Sequence, residues 1–302
     1  MPAAMPDPPE ILADRYLMGK LVGTGSSGAV YLARDRHSGR RLAVKVRVAR
    51  DKDAPVRFIA EAHAMAKLRH PRLVHVEDSG QEDNLYWFVM PYYGNGSLRD
   101  RVRQAGPTPS DQALDWTFQI LEGLAVVHDA QLVHRDVKPH NVLLDTDDSV
   151  LLTDFGLIRH VGGGVPYRTR TDQSMGTPNY RAPEQAADAA RVDLRADIYG
   201  VGANLYFLVT GRRPGFLYMV EENDPVMDPV PEALRVFILQ CMAYKPEDRF
   251  PDARACAAEV VRLYDALPDR QGERPVAKAW MHRFDRRGAE GLVGKLRKLL
   301  PW

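Results

Sequence analysis

Long apolar runs, cysteine and net charge are all scarce in this chain of 302 residues. No stretch approaches the roughly 18 apolar residues that a membrane-crossing helix needs. The best run, Val201 to Val209, is interrupted by Gly202 and Asn204. Two cysteines, Cys241 and Cys256, are too few for a disulfide scaffold or a four-cysteine zinc site, and they fit a reducing cytoplasm. The opening MPAAMPDPPE is acidic and proline-rich, unlike a signal or transit peptide. A net charge of +1 gives no reason to expect a nucleic-acid partner. What is present is ordinary for a globular protein: 45% apolar and 27% charged residues, enough for a sizeable core.

The charge is unevenly spread. From Ala266 onward there are nine Lys/Arg against four Asp/Glu, so a basic extension follows a mildly acidic body. Residues 1–14 read as a leader. From Tyr16 to about Met90 the chain is strand-rich: Leu21-Val22, Ala29 to Ala33, Arg41 to Val46 and Tyr86 to Met90 are short, branched or aromatic, with turn signals between them. One helix interrupts them, marked by Phe58, Ala62, Met65 and Leu68. From Asp111 the pattern becomes helical, with further helices expected over 197–210, 231–244 and 252–267. A β-rich lobe followed by a helical one is an α+β arrangement.

Gly23-Thr-Gly25-Ser-Ser-Gly28 leads into a strand rather than a helix. It reads as a hairpin lid whose backbone N–H groups face phosphates, or as a tight turn with no ligand. Lys45 lies in the middle of the apolar strand Leu42 to Val46, where a buried ammonium needs a partner. Glu61, on the following helix, is the candidate. The pair is either structural or a device that aims Lys45 at phosphate oxygens.

Further on come His134-Arg-Asp136-Val-Lys138-Pro-His-Asn141, Asp154-Phe-Gly156, Ala182-Pro-Glu184, Asp197 and Arg249, in that order. With the glycine loop, Lys45 and Glu61, this ordered set resembles the eukaryotic-type protein kinases, and its compact form is similar to the bacterial serine/threonine kinases. The resemblance covers about residues 15–265. It implies a bilobal kinase fold, with an N-lobe over 15–90, a hinge over 91–94 and a C-lobe over 95–265; the basic amphipathic extension over 266–302 lies beyond the resemblance and is read from charge and spacing alone.

The resemblance also implies roles. Asp136 would accept the substrate hydroxyl proton, and Lys138 would offset charge on the phosphoryl group. Asn141 and Asp154 would hold Mg²⁺, with Mn²⁺ a possible substitute. Lys45, held by Glu61, would grip the inner phosphates of ATP. Val22, Gly23, Gly25, Gly28, Val30, Ala43, Met90, Pro91, Tyr92, Tyr93 and Leu143 would line the nucleotide site, with Met90 as gatekeeper. Met65, Val76, His134 and Phe155 would form a column anchored at Asp197. Glu184 and Arg249 would pair to hold the substrate platform. Lys138 and Thr177 point to Ser/Thr rather than Tyr acceptors, so the expected partners are protein substrates. Arg57, Arg135 and Arg159 would converge on a phosphate carried by Thr171, Thr169 or Ser174, giving activation by autophosphorylation. A pseudokinase scaffold and a small-molecule kinase are the competing readings.

Two stretches depart from the pattern. Residues 215–231 are short where the family has a docking helix. They form either a surface for other proteins or a compact loop with its apolar residues tucked inward. The glycine-loop tip is Ser26-Ser27, where modification would set negative charge against ATP. In the extension, Leu292, Val293, Leu296, Leu299 and Leu300 share a helical face beside Lys295, Arg297 and Lys298. That stripe either packs on the acidic body or docks on a partner or an anionic membrane surface.

Overall fold

The computed structural model describes residues 8–25, 28–48, 54–155, 159–160, 178–187 and 192–268. The chain divides into two units between Tyr92 and Tyr93, inside the expected hinge.

The first unit is a six-stranded antiparallel sheet in the order β1-β2-β3-β4-β6-β5. Its strands are β1 (Ile11–Leu12), β2 (Tyr16–Gly25), β3 (Gly28–Asp35), β4 (Arg41–Val48), β5 (Asp78–Glu82) and β6 (Leu85–Pro91), with helix α1 (Ala54–Lys67) between β4 and β5. Side chains alternate faces along a strand. Leu42, Val44 and Val46 of β4 therefore join Leu12, Tyr16, Tyr31, Trp87 and Val89 in one apolar cluster. Ala43 and Lys45 take the opposite face. Lys45 is opposite Phe88 in the register, and the Phe88 ring lies 4.9 Å from that of Phe58 on α1. Phe58 and Glu61 are three residues apart on α1 and so share its sheet-facing side. This alternation turns an apolar strand with one lysine into a buried ammonium facing a carboxylate.

The sheet's outer corner is tied by ions. Arg15 donates twice to the buried Asp35, which also accepts from Ser38 and His37, and Tyr16 donates to Asp78. The Arg15 guanidinium holds the Asp35 carboxyl well below the usual carboxylate range.

The second unit is mainly helical. It contains α2 (Leu98–Ala105), α3 (Ser110–Asp129), α4 (Pro183–Ala187), α5 (Arg195–Thr210), α6 (Glu232–Cys241) and α7 (Ala253–Ala266). Its short strands are β7 (Leu132–Val133), β8 (Val142–Leu144), β9 (Val150–Leu152) and β10 (Arg159–His160), pairing as β8 with β9 and β7 with β10. Every residue of α5 from Ala196 to Thr210 is buried. A helix buried all round is the centre of its unit, and α3 and α6 pack against it. The local signals that start and stop these helices are clear. Ser97 and Asp100 form a reciprocal capping box on α2, Asp252 caps α7, and α5 ends on Gly211 in the left-handed conformation.

Helix boundaries shift from expectation by one to three residues. α5 begins two residues before Asp197, and α6 stops at Cys241 rather than Tyr244. The sequence pattern signals neither α2 nor β5. α2 is half charged, with only Leu98 and Val102 buried, and β5 is DSGQE, which lacks β-branched residues. Residues 215–231 make two 3-10 turns, Leu217–Met219 and Pro225–Met227. Leu217 and Met227 tuck inward, while Phe216 and Met219 are 60% and 75% exposed. The compact loop is thus realised for Leu217 and Met227, while Phe216 and Met219 stay outside it. The cysteines are core residues, with Sγ atoms 3.8 Å apart and no exposure.

Candidate active site

The first unit contributes a glycine hairpin and an ion pair. β2 and β3 are antiparallel, with Gly23 opposite Val30 and Gly25 opposite Gly28, so the glycine loop is a hairpin rather than a helix start. A Cβ on Gly23 or Gly25 would meet nothing within 4 Å, whereas one on Gly28 would come within 2.4 Å of the Val46 carbonyl oxygen. Gly28 also has φ +144°, so it is required by the hairpin itself. Gly23 and Gly25 are exposed, so a ligand could approach their backbone without meeting a side chain. Val22 is exposed, Val30 half-buried, and Ala43 and Met90 buried. Lys45 Nζ lies 2.6 Å from Glu61 Oε1, with side-chain exposures of 8% and 1%. Pro91 closes β6 opposite Leu42, and Tyr92 lies under the Arg41 guanidinium.

The second unit contributes a loop built around Asp136. Asp136 Oδ2 accepts from Lys138 Nζ at 2.6 Å and from Asn141 Nδ2 at 2.8 Å, and the same Asn141 amide also reaches the Asp136 carbonyl. Because that carboxamide donates through nitrogen, its oxygen is left to accept or to ligate. Asp154 and Phe155 follow β9, with Asp154 at φ +64°, a costly conformation for a residue with a side chain. Leu143 is half-buried on β8.

The loop is held from below by Asp197. Its Oδ1 accepts Arg135 N–H at 2.7 Å, and its Oδ2 accepts His134 N–H at 2.8 Å, with His128 Nε2 3.0 Å from the same oxygen. These bonds secure Arg135 at φ +67°. His134 is wholly buried against the Phe155 ring, 4.9 Å away. Its Nε2 is 3.1 Å from Thr153 O, and its Nδ1 accepts Asp136 N–H at 3.3 Å. It is a packing residue, as expected. Burial, with Arg99 and Lys138 adjacent, lowers the neighbouring His140 imidazole to about 4. The expected pair is also in place: Arg249 donates to both Glu184 oxygens, at 2.7 and 2.8 Å.

The structure therefore brings together Lys45 with Glu61, Asp136 with Lys138 and Asn141, and Glu184 with Arg249. Met65, Val76 and Phe155 are each buried. The Arg135 guanidinium reaches Val192 O at 3.5 Å. Ser26, Ser27, Gly156, Thr169, Thr171, Ser174, Thr177 and the extension from 269 lie outside the described residues, as do the side chains of Arg57 and Arg159. Neither His128 nor Gln185 carries a signal in the sequence that marks it for the site. The Gln185 amide donates to Arg135 O at 2.9 Å and accepts Ala182 N–H at 3.0 Å.

Comparison with known proteins agrees with this geometry. The family profile described as protein kinase domain matches residues 16–261. Serine/threonine-protein kinase PknB of Mycobacterium leprae is 34% identical over 283 residues, covering 87% of this chain and 45% of that protein. PknB of Mycolicibacterium smegmatis is also 34% identical, over 282 residues, covering 86% of this chain and 45% of its own length. Serine/threonine-protein kinase PknL of Mycobacterium tuberculosis is 35% identical over 276 residues, covering 86% and 68%. The chain spans about half the length of the PknB relatives. Since the profile runs unbroken from the first long strand of the sheet to the last helix, enclosing Lys45, Asp136 and Arg249 alike, the chain belongs to the protein kinase family.

Proposed function

We propose that this chain is a serine/threonine protein kinase that moves the γ-phosphoryl group of ATP to Ser or Thr hydroxyls of proteins. The observation that carries the reading is the Asp136 carboxylate, gripped by Lys138 and Asn141 on a loop locked by Asp197. Phosphoryl transfer asks for positioning and charge stabilisation more than for covalent chemistry. The acceptor hydroxyl oxygen attacks the γ-phosphorus and its proton passes to Asp136. The bond to the β-phosphate's bridging oxygen breaks, and ADP leaves. Lys138, already beside Asp136, offsets charge on the transferring group. Lys45 holds the inner phosphates, and Glu61 keeps its ammonium from swinging away. The hairpin carries Gly23 and Gly25 over the phosphates.

Asn141 and Asp154 supply hard oxygen donors of the kind that Mg²⁺, or Mn²⁺ in its place, prefers. Among the described residues no group of three or more His, Cys, Asp or Glu side chains converges to cage a metal. One carboxylate and one carboxamide oxygen are a sparse, hard donor set, of the kind that suits a cation completing its shell with nucleotide oxygens. Such a cation would neutralise phosphate charge.

The finer features of the reading rest on sequence. Lys138 and Thr177 favour Ser/Thr acceptors. Thr171, Thr169 and Ser174 are the autophosphorylation sites that would draw Arg57, Arg135 and Arg159 together. The 270–302 extension docks a protein partner. No helix among the described residues is long and apolar enough to cross a membrane, and we place the domain in the cytoplasm, where ATP is.

Incubation with labelled ATP and a generic protein substrate tests the activity. Transfer should vanish in Asp136→Asn and Lys45→Met while the circular dichroism spectrum is kept. Near-native turnover in Asp136→Asn would sink the assignment. A Thr169→Ala/Thr171→Ala/Ser174→Ala variant that keeps full activity would remove the activation scheme. Deleting 270–302 should leave turnover on the generic substrate intact; loss of the kinase fold would show that the extension is part of the core.

A further inference from the structure

Gln185 is the first residue after Ala182-Pro-Glu184, and the phosphoryl-transfer scheme gives it no task. Its amide nevertheless touches the loop that carries the catalytic carboxylate. Oε1 accepts Ala182 N–H at 3.0 Å, and Nε2 donates to the carbonyl oxygen of Arg135 at 2.9 Å. The first bond decides which way round the amide sits: with oxygen on an N–H donor, the NH₂ group faces Arg135.

The Arg135 carbonyl and the Asp136 N–H belong to one peptide unit. Its N–H end is bound to His134 Nδ1 at 3.3 Å and its C=O end to Gln185. Because a peptide unit is planar, fixing both ends fixes its orientation. The Asp136 side chain grows from the next Cα. The fixing matters because Arg135 has φ +67°, a conformation that a residue with a side chain keeps only when its surroundings impose it. Asp197 holds the Arg135 N–H and Gln185 holds its C=O, so the strained residue is clamped on both sides.

We propose that Gln185 is a positioning residue for phosphoryl transfer, setting the Arg135–Asp136 peptide and through it the Asp136 carboxylate. This rests on the kinase reading above. α4, which carries Gln185, is itself bolted in place by the bidentate Glu184–Arg249 pair. The platform segment 182–187 and the catalytic loop are therefore joined by one carboxamide, and displacing the segment releases the peptide next to Asp136. Glutamine suits the position because it donates and accepts at the same reach. Glutamate keeps the Ala182 bond but opposes a carboxylate to the Arg135 carbonyl. Methionine keeps the length and makes neither bond.

The test compares Gln185→Met and Gln185→Glu with the native 302-residue chain. It measures kcat and KM for ATP and for a generic protein substrate, with thermal unfolding to normalise to folded enzyme. A misplaced reacting group can cost about 10²-fold in rate. We expect kcat to fall about ten- to a hundredfold in both variants, with Gln185→Glu at least as impaired as Gln185→Met. KM for ATP should stay within about twofold, since Lys45 and the glycine hairpin are untouched. Should Gln185→Met fold poorly, Gln185→Glu, which retains the Ala182 bond, decides the matter. An active native chain whose variants keep kcat within twofold, or lose it only in step with the folded fraction, overturns this proposal alone. An inactive native chain overturns the kinase reading and this proposal together.

Discussion

Replacing Arg249 by methionine should be among the most damaging single changes to the helical unit. The side chain has no exposure, while that of its partner Glu184 retains 16%. A guanidinium offers five N–H donors, and here all five are used. Nε donates to Ala243 O at 2.8 Å. Nη1 reaches Glu184 Oε1 at 2.7 Å and Arg195 O at 3.0 Å, and Nη2 reaches Glu184 Oε2 at 2.8 Å and Tyr244 O at 3.1 Å. The cation also lies 5.1 Å from the centre of the Tyr199 ring. Methionine restores most of the volume but takes a donor from three backbone carbonyls, of which only Arg195 O has a helical partner as the first carbonyl of α5, and leaves a carboxylate without its cation. Removing one partner of a buried ion pair costs about 3–5 kcal/mol, against a total stability of about 5–15 kcal/mol. For a protein of this size about 1 kcal/mol corresponds to roughly 2–4 °C. The melting temperature should therefore fall by about 6–20 °C, with a matching drop in the urea midpoint. Arg249→Lys should recover only part of the loss, because one ammonium has three donors and no fork. Glu184→Met combined with Arg249→Met should be less harmful than the sum of the two single changes, since no buried charge is left unpaired. A loss below about 1 kcal/mol for Arg249→Met, or strict additivity in the double variant, would refute the argument that this one cation organises its surroundings.

Three further outcomes follow from the geometry. The Asp35 carboxyl is held below its unfolded value, about 3.9, chiefly by Arg15. It therefore adds stability above about pH 4 that is lost as the pH falls through the lower folded value; Asp35→Asn should lower stability at neutral pH and flatten the acid limb of urea midpoints measured from pH 7 downward. Burial, together with the Cys241 thiol, pushes the Cys256 thiol up, so neither cysteine should react with an aromatic disulfide reagent in the native protein and both should react in denaturant; prompt native labelling would contradict the packing. Adding a Cβ at Gly202 would place it 2.5 Å from Cys241 Cβ and 2.9 Å from Met242 Cγ; Gly202→Ala should therefore lose about 1–3 kcal/mol to overpacking, offset by up to about 1 kcal/mol of helix propensity, and a net gain in melting temperature would show that α5 and α6 can move apart at no cost.

Much of the arrangement was legible because its signals are local or periodic. Alternation along Leu42 to Val46 puts Lys45 opposite in face to Val44, and helical spacing puts Phe58 and Glu61 on one side of α1. These two periods are enough to foresee the pair. The hairpin character of the glycine loop was readable because strand residues follow Gly28 directly. α2 was missed for the opposite reason. Only Leu98 and Val102 are buried in it, so there is little apolar stripe to detect, and its capping box is visible only once the helix is known to start there.

The amino-acid sequence by itself determined the family, the succession of a strand-rich and a helical part and the residue types that the chemistry requires, because those depend on spacing along the chain. Only the tertiary structure decided which backbone groups those side chains hold. Asp197 was recognisable as an anchor, but not as an acceptor for two successive N–H groups and a neighbour of His128 sixty-nine residues away. Arg249 was recognisable as a partner of Glu184, but its three carbonyl acceptors come from two separate segments. Gln185 was recognisable as nothing in particular. Its amide acquires a task only where folding brings the Arg135 carbonyl within 2.9 Å, across fifty residues of chain. A hydrogen bond to a distant backbone group leaves no periodic trace in the sequence, because any residue can supply the carbonyl and only the fold decides which one does.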